Sequence, residues 1–540
     1  MEFGYWSLIP PVLAIGLALI TKKVYISLFA GIAVGALIFT HGDIISAIGK
    51  IVTIFWDNLE LKNFSSWENF NNSWNLFILF FLIFLGILVA LVNRAGGALA
   101  YGNWVIKKIK TREGASFATF ILGVLIFLDD YFNCLTVGTV MKPLTDKHRI
   151  SRAKLAYIID STAAPVCIIA PVSSWVANVI SQLTQSGVGK DTLAAFNPYN
   201  VFLTSVVFNS YALLTMFMVV LMAFKSYDFG VMREHEIRAK KFGDLYNGGK
   251  EVSKIVDKEI TPSKNGKVID LLIPILFLIV MLIGFMLYTG GYKLLGGENS
   301  MFDAFQNMNS AKALFYSGLI SVIFAVVYFA ARKLIPLGEY PKLFWAGFRL
   351  MLPANCILIL AWGIGSIIKN DLQTGQFIGT LAAQNFPIEL MPAILFLIAC
   401  LVAYSTGTSW GTFAILIPMA IPMVVSTGRT DLLMAMISAV LGGAVYGDHV
   451  SPISDTTIMS STGAGCNHLD HVNTQMPYAT LVAGVCFVGY IIMGFTARYG
   501  LGVSGTVNLL FCVPVLYILV RVLSKKAPQK DDSIEDKQKA

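Results

Sequence analysis

Acidic and hydroxyl side chains cluster inside an otherwise apolar part of the chain, residues 441–463 (LGGAVYGDHVSPISDTTIMSSTG). Carboxylate and hydroxyl oxygens are ligands that a hard cation accepts, and a carboxylate also takes a proton. The surrounding residues are apolar enough to place this stretch in a bilayer, where irregular backbone persists only inside protein or beside water. We therefore predict half of a transport site. Its candidate cation or proton ligands are Asp448 and Asp455, and its candidate solute ligands are Ser451, Ser454 and Thr456.

His449 follows Asp448 directly and titrates near neutral pH, which makes it a candidate pH sensor. A neutral histidine that hydrogen-bonds its neighbour fits the sequence equally well. The nearby run CNHLDH (466–471) has the residue types of a metal site, but no second pair of ligands follows it. We interpret this run as a connector at the inner face, and we expect no metal ion other than Na⁺.

A second acidic cluster, FLDDYFN, lies between two apolar arms within residues 115–144. Each arm is shorter than the roughly 20 residues that cross a bilayer, and basic residues flank both outer ends. The pattern predicts a re-entrant hairpin with Asp129 and Asp130 at its tip and Asn133 beside them as cation or proton ligands. Two adjacent carboxylates cannot both ionise cheaply in a poor dielectric, so one of them is a candidate proton carrier. The alternative is an exposed turn that the aspartates cap.

The stretch DSTAAPVCIIAPVSS (160–174) interrupts another apolar segment, 153–182. Its two prolines each remove a helix hydrogen bond, which predicts a broken helix. Asp160 is a further candidate cation ligand, and Ser173 and Ser174 are candidate solute ligands. These hydroxyls also fit a purely structural role, in which they satisfy the broken backbone.

A second hairpin, predicted over 388–425, has an uncharged tip, YSTGTSW. Backbone amides at the start of a half-helix favour an anionic or polar group. The candidate solute ligands at this tip are Ser405, Thr406, Thr408 and Ser409. Serine and threonine cap helices anywhere, so these residues alone are weak evidence for a binding site. Their predicted position opposite the aspartate tip makes that evidence stronger.

The amino-acid composition indicates the class of protein to which these clusters belong. The 540 residues are 56% hydrophobic and 13% charged, against about 25% charged in average soluble domains. Apolar stretches long enough to span a bilayer recur from end to end, which predicts an all-α polytopic membrane protein. We read the first segment, 5–21, as a retained helix rather than a signal peptide. The seven cysteines show no paired spacing, and the net charge of +8 follows from membrane topology rather than from a nucleic-acid partner.

The order of segments predicts two halves that run in opposite directions. Lys and Arg concentrate on one side of this arrangement, which places the N-terminus outside and the C-terminus in the cytoplasm. Two interrupted segments at matching places in the halves indicate a transporter's binding site. We expect about 11 full-length transmembrane segments plus the hairpins. The predicted divisions are a first repeat over 1–224 (scaffold helices 5–40, transport elements 74–224), a charged cytoplasmic linker over 225–268, a second repeat over 269–498, and a last helix and tail over 499–540.

Three stretches resemble motifs of the NhaC-type Na⁺/H⁺ antiporter family in the ion-transporter superfamily. They are GDHVSPISDTTIMSSTGAGCNHLDHVNTQMPYATL (447–481), FLDDYFNCLTVGTVMKPL (127–144) and YSTGTSWGTFAILIPMAIPM (404–423). The resemblance covers most of residues 75–500. It implies an elevator-type transporter of the bacterial cytoplasmic membrane, often a dimer, that pairs an inverted repeat of two hairpins and two broken helices with a scaffold. It also implies ion binding by Asp129, Asp130, Asp448 and Asp455.

Our leading functional prediction is Na⁺/H⁺ antiport, with both ions competing for the intramembrane aspartates. The alternative keeps the scaffold and uses Na⁺ or H⁺ to drive a carboxylate-bearing solute, an amino acid or a dicarboxylate as in malate–lactate exchange. A passive channel fits the proline-broken helices poorly. We predict no enzyme activity and no cofactor, because the sequence shows neither a nucleophile–base pair nor a phosphate-binding loop. The expected partners are lipid, the two ions, a small organic solute and a second copy of the chain.

Overall fold

The computed structural model describes residues 3–21, 23–190, 193–225, 227–248, 261–374, 377 and 387–526. The polar segment after residue 374, part of the predicted linker and the predicted C-terminal tail lie wholly or mostly outside these ranges. Helices make up the fold. Those of the first half are α1 (Ile9–Thr21), α2 (Val24–Phe39), α3 (Ile44–Asn58), α4 (Trp67–Asn71), α5 (Asn75–Ala95), α6 (Gly97–Lys108), α7 (Arg112–Leu125), α8 (Asp130–Lys147), α9 (Arg152–Cys167), α10 (Ser174–Gln185), α11 (Pro198–Phe208), α12 (Ser210–Lys225) and α13 (Gly230–Phe242).

The second half follows the same plan. Its helices are α14 (Ile269–Thr289), α15 (Met301–Asn307), α16 (Ser310–Ala331), α17 (Tyr340–Ser366), α18 (Met391–Thr406), α19 (Ser409–Thr427), α20 (Leu433–Val450), α21 (Asp455–Ala464), α22 (His468–Thr496) and α23 (Leu501–Lys526). Within the described residues, ten helices are long and apolar enough to cross a membrane, and three shorter apolar helices accompany them. The protein is therefore a multi-pass membrane protein.

The predicted number of full spans, about 11, is close to these ten, but the helices that were counted as spans are partly different ones. The helices α1 and α2, which we predicted as full spans, have 13 and 16 residues. Both arms of the second hairpin are among the ten, as the spans Ile388–Thr406 and Ser409–Thr427, each of 19 residues when the turn before α18 is included. That length is sufficient for either arm to cross, so the re-entrant placement of this hairpin stays a prediction.

The second helix break falls where the sequence predicts it, but the first is shorter than the predicted 160–174. The helix continues through Pro165 to Cys167, so Asp160 lies within the helix and the break covers residues 168–173 only. The first hairpin consists of α7 and α8, joined at residues 126–129, and the second consists of α18 and α19, joined at Gly407 and Thr408. The first broken helix is α9 followed by α10, and the second is α20 followed by α21. Four pairs of half-helices therefore end near four short turns, and most of the predicted ligands lie at or beside these turns, whereas Asp160 and Asn133 lie within helices.

Three segments contain structure that the predicted divisions do not mark. The region 41–73, between the predicted scaffold helices and transport elements, contains α3, which Asp43 caps by accepting a hydrogen bond from Ile45 N at 3.1 Å. The end of the first predicted repeat divides into α11 and α12 at Asn209, whose side chain caps α12. The linker helix α13, expected to be solvated, packs against the bundle and buries Glu236. Short amphipathic helices and buried ion pairs have weak sequence signals, because their composition resembles that of loops.

The two halves interlock around the broken helices. The second arm of each hairpin packs against the second half of the other repeat's broken helix: α8 on α21, and α19 on α10. Glycines permit the first of these contacts, because a Cβ on Gly138 would lie 2.5 Å from the carbonyl carbon of Gly463. Small residues at such crossings let membrane helices approach closely. This exchange of partners brings all four polar turns into one region.

Candidate functional site

Asp129 fixes the tip of the first hairpin. One of its carboxylate oxygens accepts a hydrogen bond from Phe132 N at 3.0 Å, which caps α8. The other accepts a hydrogen bond from Ser174 Oγ at 3.2 Å, at the start of α10. The residue is only 2% exposed. Asp129 thus joins the first hairpin to the second half of the first broken helix.

Asn133, one helical turn after Asp129 in α8, also stabilises the first hairpin tip. Its amide nitrogen donates to three carbonyl oxygens, those of Gly123 at 2.7 Å, Ile126 at 2.8 Å and Thr162 at 3.0 Å. Its amide oxygen is buried and has no hydrogen-bond partner among the described residues. The nitrogen is therefore structural, and the free oxygen is the atom that could bind a cation.

Asp448 lies at the end of α20, just before the second break, and its side chain is buried. Ser409, the first residue of α19, donates to one carboxylate oxygen through its backbone nitrogen at 3.1 Å and its hydroxyl at 2.8 Å. The other carboxylate oxygen, Oδ1, is buried without a partner in the described part of the chain. The Ser454 hydroxyl also lies close enough to this carboxylate to stabilise its charge. A buried carboxylate oxygen with so few partners is a candidate ligand for a proton or a cation.

The acidic groups of the two halves lie near one another. Asp130, at the first tip, lies close enough to Asp129 and Asp448 for their negative charges to repel its own. Tyr131 Oη donates to Asp455 Oδ2 at 3.2 Å, which links the first tip to the start of α21. Asp129 and Asp130 line a cavity of about 620 Å³ together with the exposed carboxylate of Asp455.

Two of the predicted solute ligands line this cavity, namely Thr406 and Thr408. Most of the others make hydrogen bonds that satisfy the interrupted backbone. Ser173 caps α10, Ser451 donates to the carbonyl of Tyr404 at 2.6 Å, and Ser454 caps α21 beside Thr456. Ser405 is half-buried, and Ser174 and Ser409 bond to aspartates as described above. A role for any of these residues as solute ligands stays a prediction.

Asp160 belongs to a separate buried cluster. Its Oδ2 accepts hydrogen bonds from His471 Nε2 at 3.1 Å and from Gln475 Nε2 at 2.7 Å. His449 completes the cluster, with Nδ1 3.0 Å from Tyr211 Oη. Asp160 does not line the cavity, so the structure separates it from Asp129 and Asp130. Its predicted role as a cation ligand remains a prediction.

Sequence reasoning missed several of these partners. Tyr131, Tyr211 and Gln475 were not identified, and His471 was assigned to a surface connector. The spacing of His471 and Gln475, four residues apart on one face of α22, is a signal that could have identified a polar helix face. No comparable signal marked the two tyrosines.

Comparisons with known proteins agree with this architecture. A sequence model of the Na⁺/H⁺ antiporter family matches residues 166–495. An uncharacterized protein of Haemophilus influenzae is 38% identical over 497 residues, which cover 91% of each chain. The malate-2H⁺/Na⁺-lactate antiporter of Bacillus subtilis is 28% identical over 137 residues, which cover 23% of this chain and 29% of that protein.

A solved structure shares the fold. MtrF of Neisseria gonorrhoeae, described with a class of antimetabolite efflux pumps, superimposes with a TM-score of 0.52 at 14% identity. The superposition covers 83% of this chain and 84% of MtrF. At this identity the likeness concerns the fold alone. The match of the family model over more than half of the chain, and the full-length relative, show that this protein belongs to the Na⁺/H⁺ antiporter family of membrane transporters.

Proposed function

We propose that the protein exchanges Na⁺ for H⁺ across the bacterial cytoplasmic membrane, and that both ions compete for Asp448. The observation that carries this proposal is the buried, unpartnered Oδ1 of Asp448, where two broken elements meet. Ser409 stabilises the negative charge from one side and leaves this oxygen available. A proton or a sodium ion neutralises the same group, so binding of one excludes the other.

The first hairpin supplies the remaining candidate ligands. Asp129 and Asp130 cannot both remain ionised beside Asp448 without a counter-charge. The free oxygen of Asn133 is a neutral ligand on the same hairpin. We propose that these groups share the cation with Asp448, and that His449 senses pH through the cluster around Asp160.

The conformational cycle follows from the fold. We propose that the two hairpins and two broken helices move together against a scaffold that includes α2 and α17, in an elevator motion, within a homodimer. The N-terminus lies outside and the C-terminus in the cytoplasm, so the cavity opens towards the cytoplasm beside Lys23. The repeats comprise residues 1–224 and 269–498, with the linker 225–268 on the cytoplasmic side.

The test is Na⁺-driven proton movement in proteoliposomes that contain a pH-sensitive dye. The Asp448→Asn variant should lose exchange, because an amide neither ionises nor carries the transported proton. The matched control is Asp57→Asn, since Asp57 is exposed and does not line the cavity. Exchange at the wild-type rate in Asp448→Asn would refute the assignment.

A second candidate function is coupled transport of an organic solute on the same scaffold. The cavity of about 620 Å³ favours it, because an ion that binds to a few oxygens does not need that space. The Bacillus subtilis relative is named for exchange of malate and lactate. Uptake of radiolabelled malate and amino acids, with and without a Na⁺ gradient, separates this function from ion exchange alone.

A further inference from the structure

The cavity beside the first hairpin tip has the size of a binding site for a small organic molecule. Its volume is about 620 Å³, within the range of about 300–1,000 Å³ that small-molecule pockets occupy. A water molecule takes about 30 Å³, so hydrated Na⁺ alone does not explain the space. Its walls come from both tips, from the start of α21 and from the scaffold helices α2 and α17.

The charged residues that line the cavity indicate which charge a bound ligand carries. Asp129, Asp130 and Asp455 line the cavity, and among the described lining residues Lys23 is the one cation. An anion would add negative charge beside Asp455 and beside an Asp129–Asp130 pair that already lacks a counter-charge, which is costly. A ligand with a positive charge is attracted by the same groups. The cavity therefore disfavours a dicarboxylate.

Aromatic rings add to this preference. Tyr25, Tyr131 and Trp410 line the cavity, on three different elements. The face of an aromatic ring attracts an ammonium group and also packs against an apolar body. Leu350 and Ile357, from α17, supply further apolar surface. The walls thus suit a molecule with a charged amine and an apolar body.

The cavity adjoins the cation site proposed above, because Asp129 and Asp130 line it. Asp448 does not line it and is bonded to Ser409 at the second tip. Asp455 is exposed and lines the cavity directly. Asp455 is therefore available to an organic cation in the cavity, while Asp448 lies outside the cavity lining.

We propose that this cavity binds an organic solute with a protonated primary amine. The ammonium group lies between Asp130 and Asp455, and the apolar body lies against Trp410 and the wall from α17. Lys23, at the rim, binds a carboxylate where the solute is an amino acid. The inference deepens the proposed transport function, on which it rests, by naming the class of solute.

Binding to the purified full-length protein tests the inference directly, without a transport assay. The probes form two series with constant bodies: isoamylamine, L-leucine and 4-methylvalerate, and phenethylamine, L-phenylalanine and 3-phenylpropionate. Calorimetry should show binding of the amine-bearing members of at least one series and none of the carboxylate-only members. Preferential binding of a carboxylate-only member, or no binding of any amine at millimolar concentration, would overturn the inference.

Variants of the walls locate the binding site. Asp455→Asn should weaken amine binding roughly tenfold, because a charge-assisted hydrogen bond is lost. Asp57→Asn, on the exposed surface, should leave it unchanged. Lys23→Gln distinguishes amino acids, which carry a carboxylate as well as an ammonium group, from simple amines. It should weaken binding of the amino acid of a series and leave binding of the matching amine intact, whereas an equal effect on both would refute the carboxylate role of Lys23.

Substitutions that fill the cavity test whether it is the binding site. Ile357→Trp should abolish amine binding, and Met351→Trp serves as a second variant on the same wall. Amine binding that survives both substitutions in monodisperse protein would refute the site. Wild-type protein that exchanges Na⁺ and binds no amine refutes this inference alone. Wild-type protein that binds amines and exchanges no Na⁺ refutes the proposed exchange alone.

Discussion

The hydroxyl of Tyr131 and the carboxylate of Asp455 meet at 3.2 Å, although 324 positions separate them in the sequence. This hydrogen bond closes the gap between the first hairpin tip and the second broken helix. It occupies one oxygen of a carboxylate that lines the cavity. A bound cation must compete with this hydroxyl for Asp455.

Tyr131→Phe keeps the ring and removes the hydroxyl. We expect the affinity for an organic amine to rise about fivefold, because a hydrogen bond of about 1 kcal/mol no longer competes. The measurement is calorimetric titration of the purified protein with an amine that binds the wild type. An unchanged affinity would show that the hydroxyl does not compete with the ammonium group.

Ser409→Ala removes the 2.8 Å hydrogen bond to Asp448 and leaves the backbone donor in place. That bond stabilises the ionised carboxylate, so its loss should favour the protonated form over the sodium form. We expect the Na⁺ concentration at half-maximal exchange to rise about fivefold at fixed pH. Ser405→Ala, on the other side of the tip, is the control, and an equal change in both variants would contradict this explanation.

Gly407→Ala should destabilise the second tip. Gly407 has φ +67°, and a Cβ there would lie 2.7 Å from the carbonyl oxygen of Ile453. The left-handed conformation alone costs a residue other than glycine about 1–2 kcal/mol. Gly428→Ala is the matched control, because Gly428 has φ +68° with open space around it. The melting temperature should fall further for Gly407→Ala, and equal decreases would contradict the close approach.

Glu236→Gln should loosen the attachment of α13. Glu236 is buried, lies 2.6 Å from Arg112 Nη2 and 3.3 Å from Lys154 Nζ, and accepts a hydrogen bond from Ser151 N. Lys154 keeps its ion pair with Asp228 in this variant, so the loss falls mainly on Arg112. The cost should therefore stay below the roughly 3–5 kcal/mol of a buried pair whose remaining charge is uncompensated. We expect a melting temperature several degrees lower, and almost no change for the exposed neighbour Glu234→Gln. A wild-type melting temperature in Glu236→Gln would show that α13 does not stabilise the bundle.

The local features of the fold could be read from the sequence, because they depend on neighbouring residues. Apolar stretches of suitable length indicated the membrane helices, and prolines and polar runs marked the breaks before Ser174 and before Asp455. The tip at Asp129 followed from two short arms with basic flanks. The buried helix α13 was missed, since its charged residues resemble those of a solvated linker and their partners lie far away in the chain.

The tertiary structure alone decided which polar groups meet. Asp160 pairs with His471 across 311 positions, and Asp448 pairs with Ser409 across 39. Hydrophobic periodicity shows which face of a helix is buried, but it carries no information about which other helix covers that face. The hydrogen-bond partners of each buried polar atom are then the groups that helix packing places beside it. The sequence therefore determined which residues could bind an ion, and the packing of the two halves decided which oxygens remained free to do so.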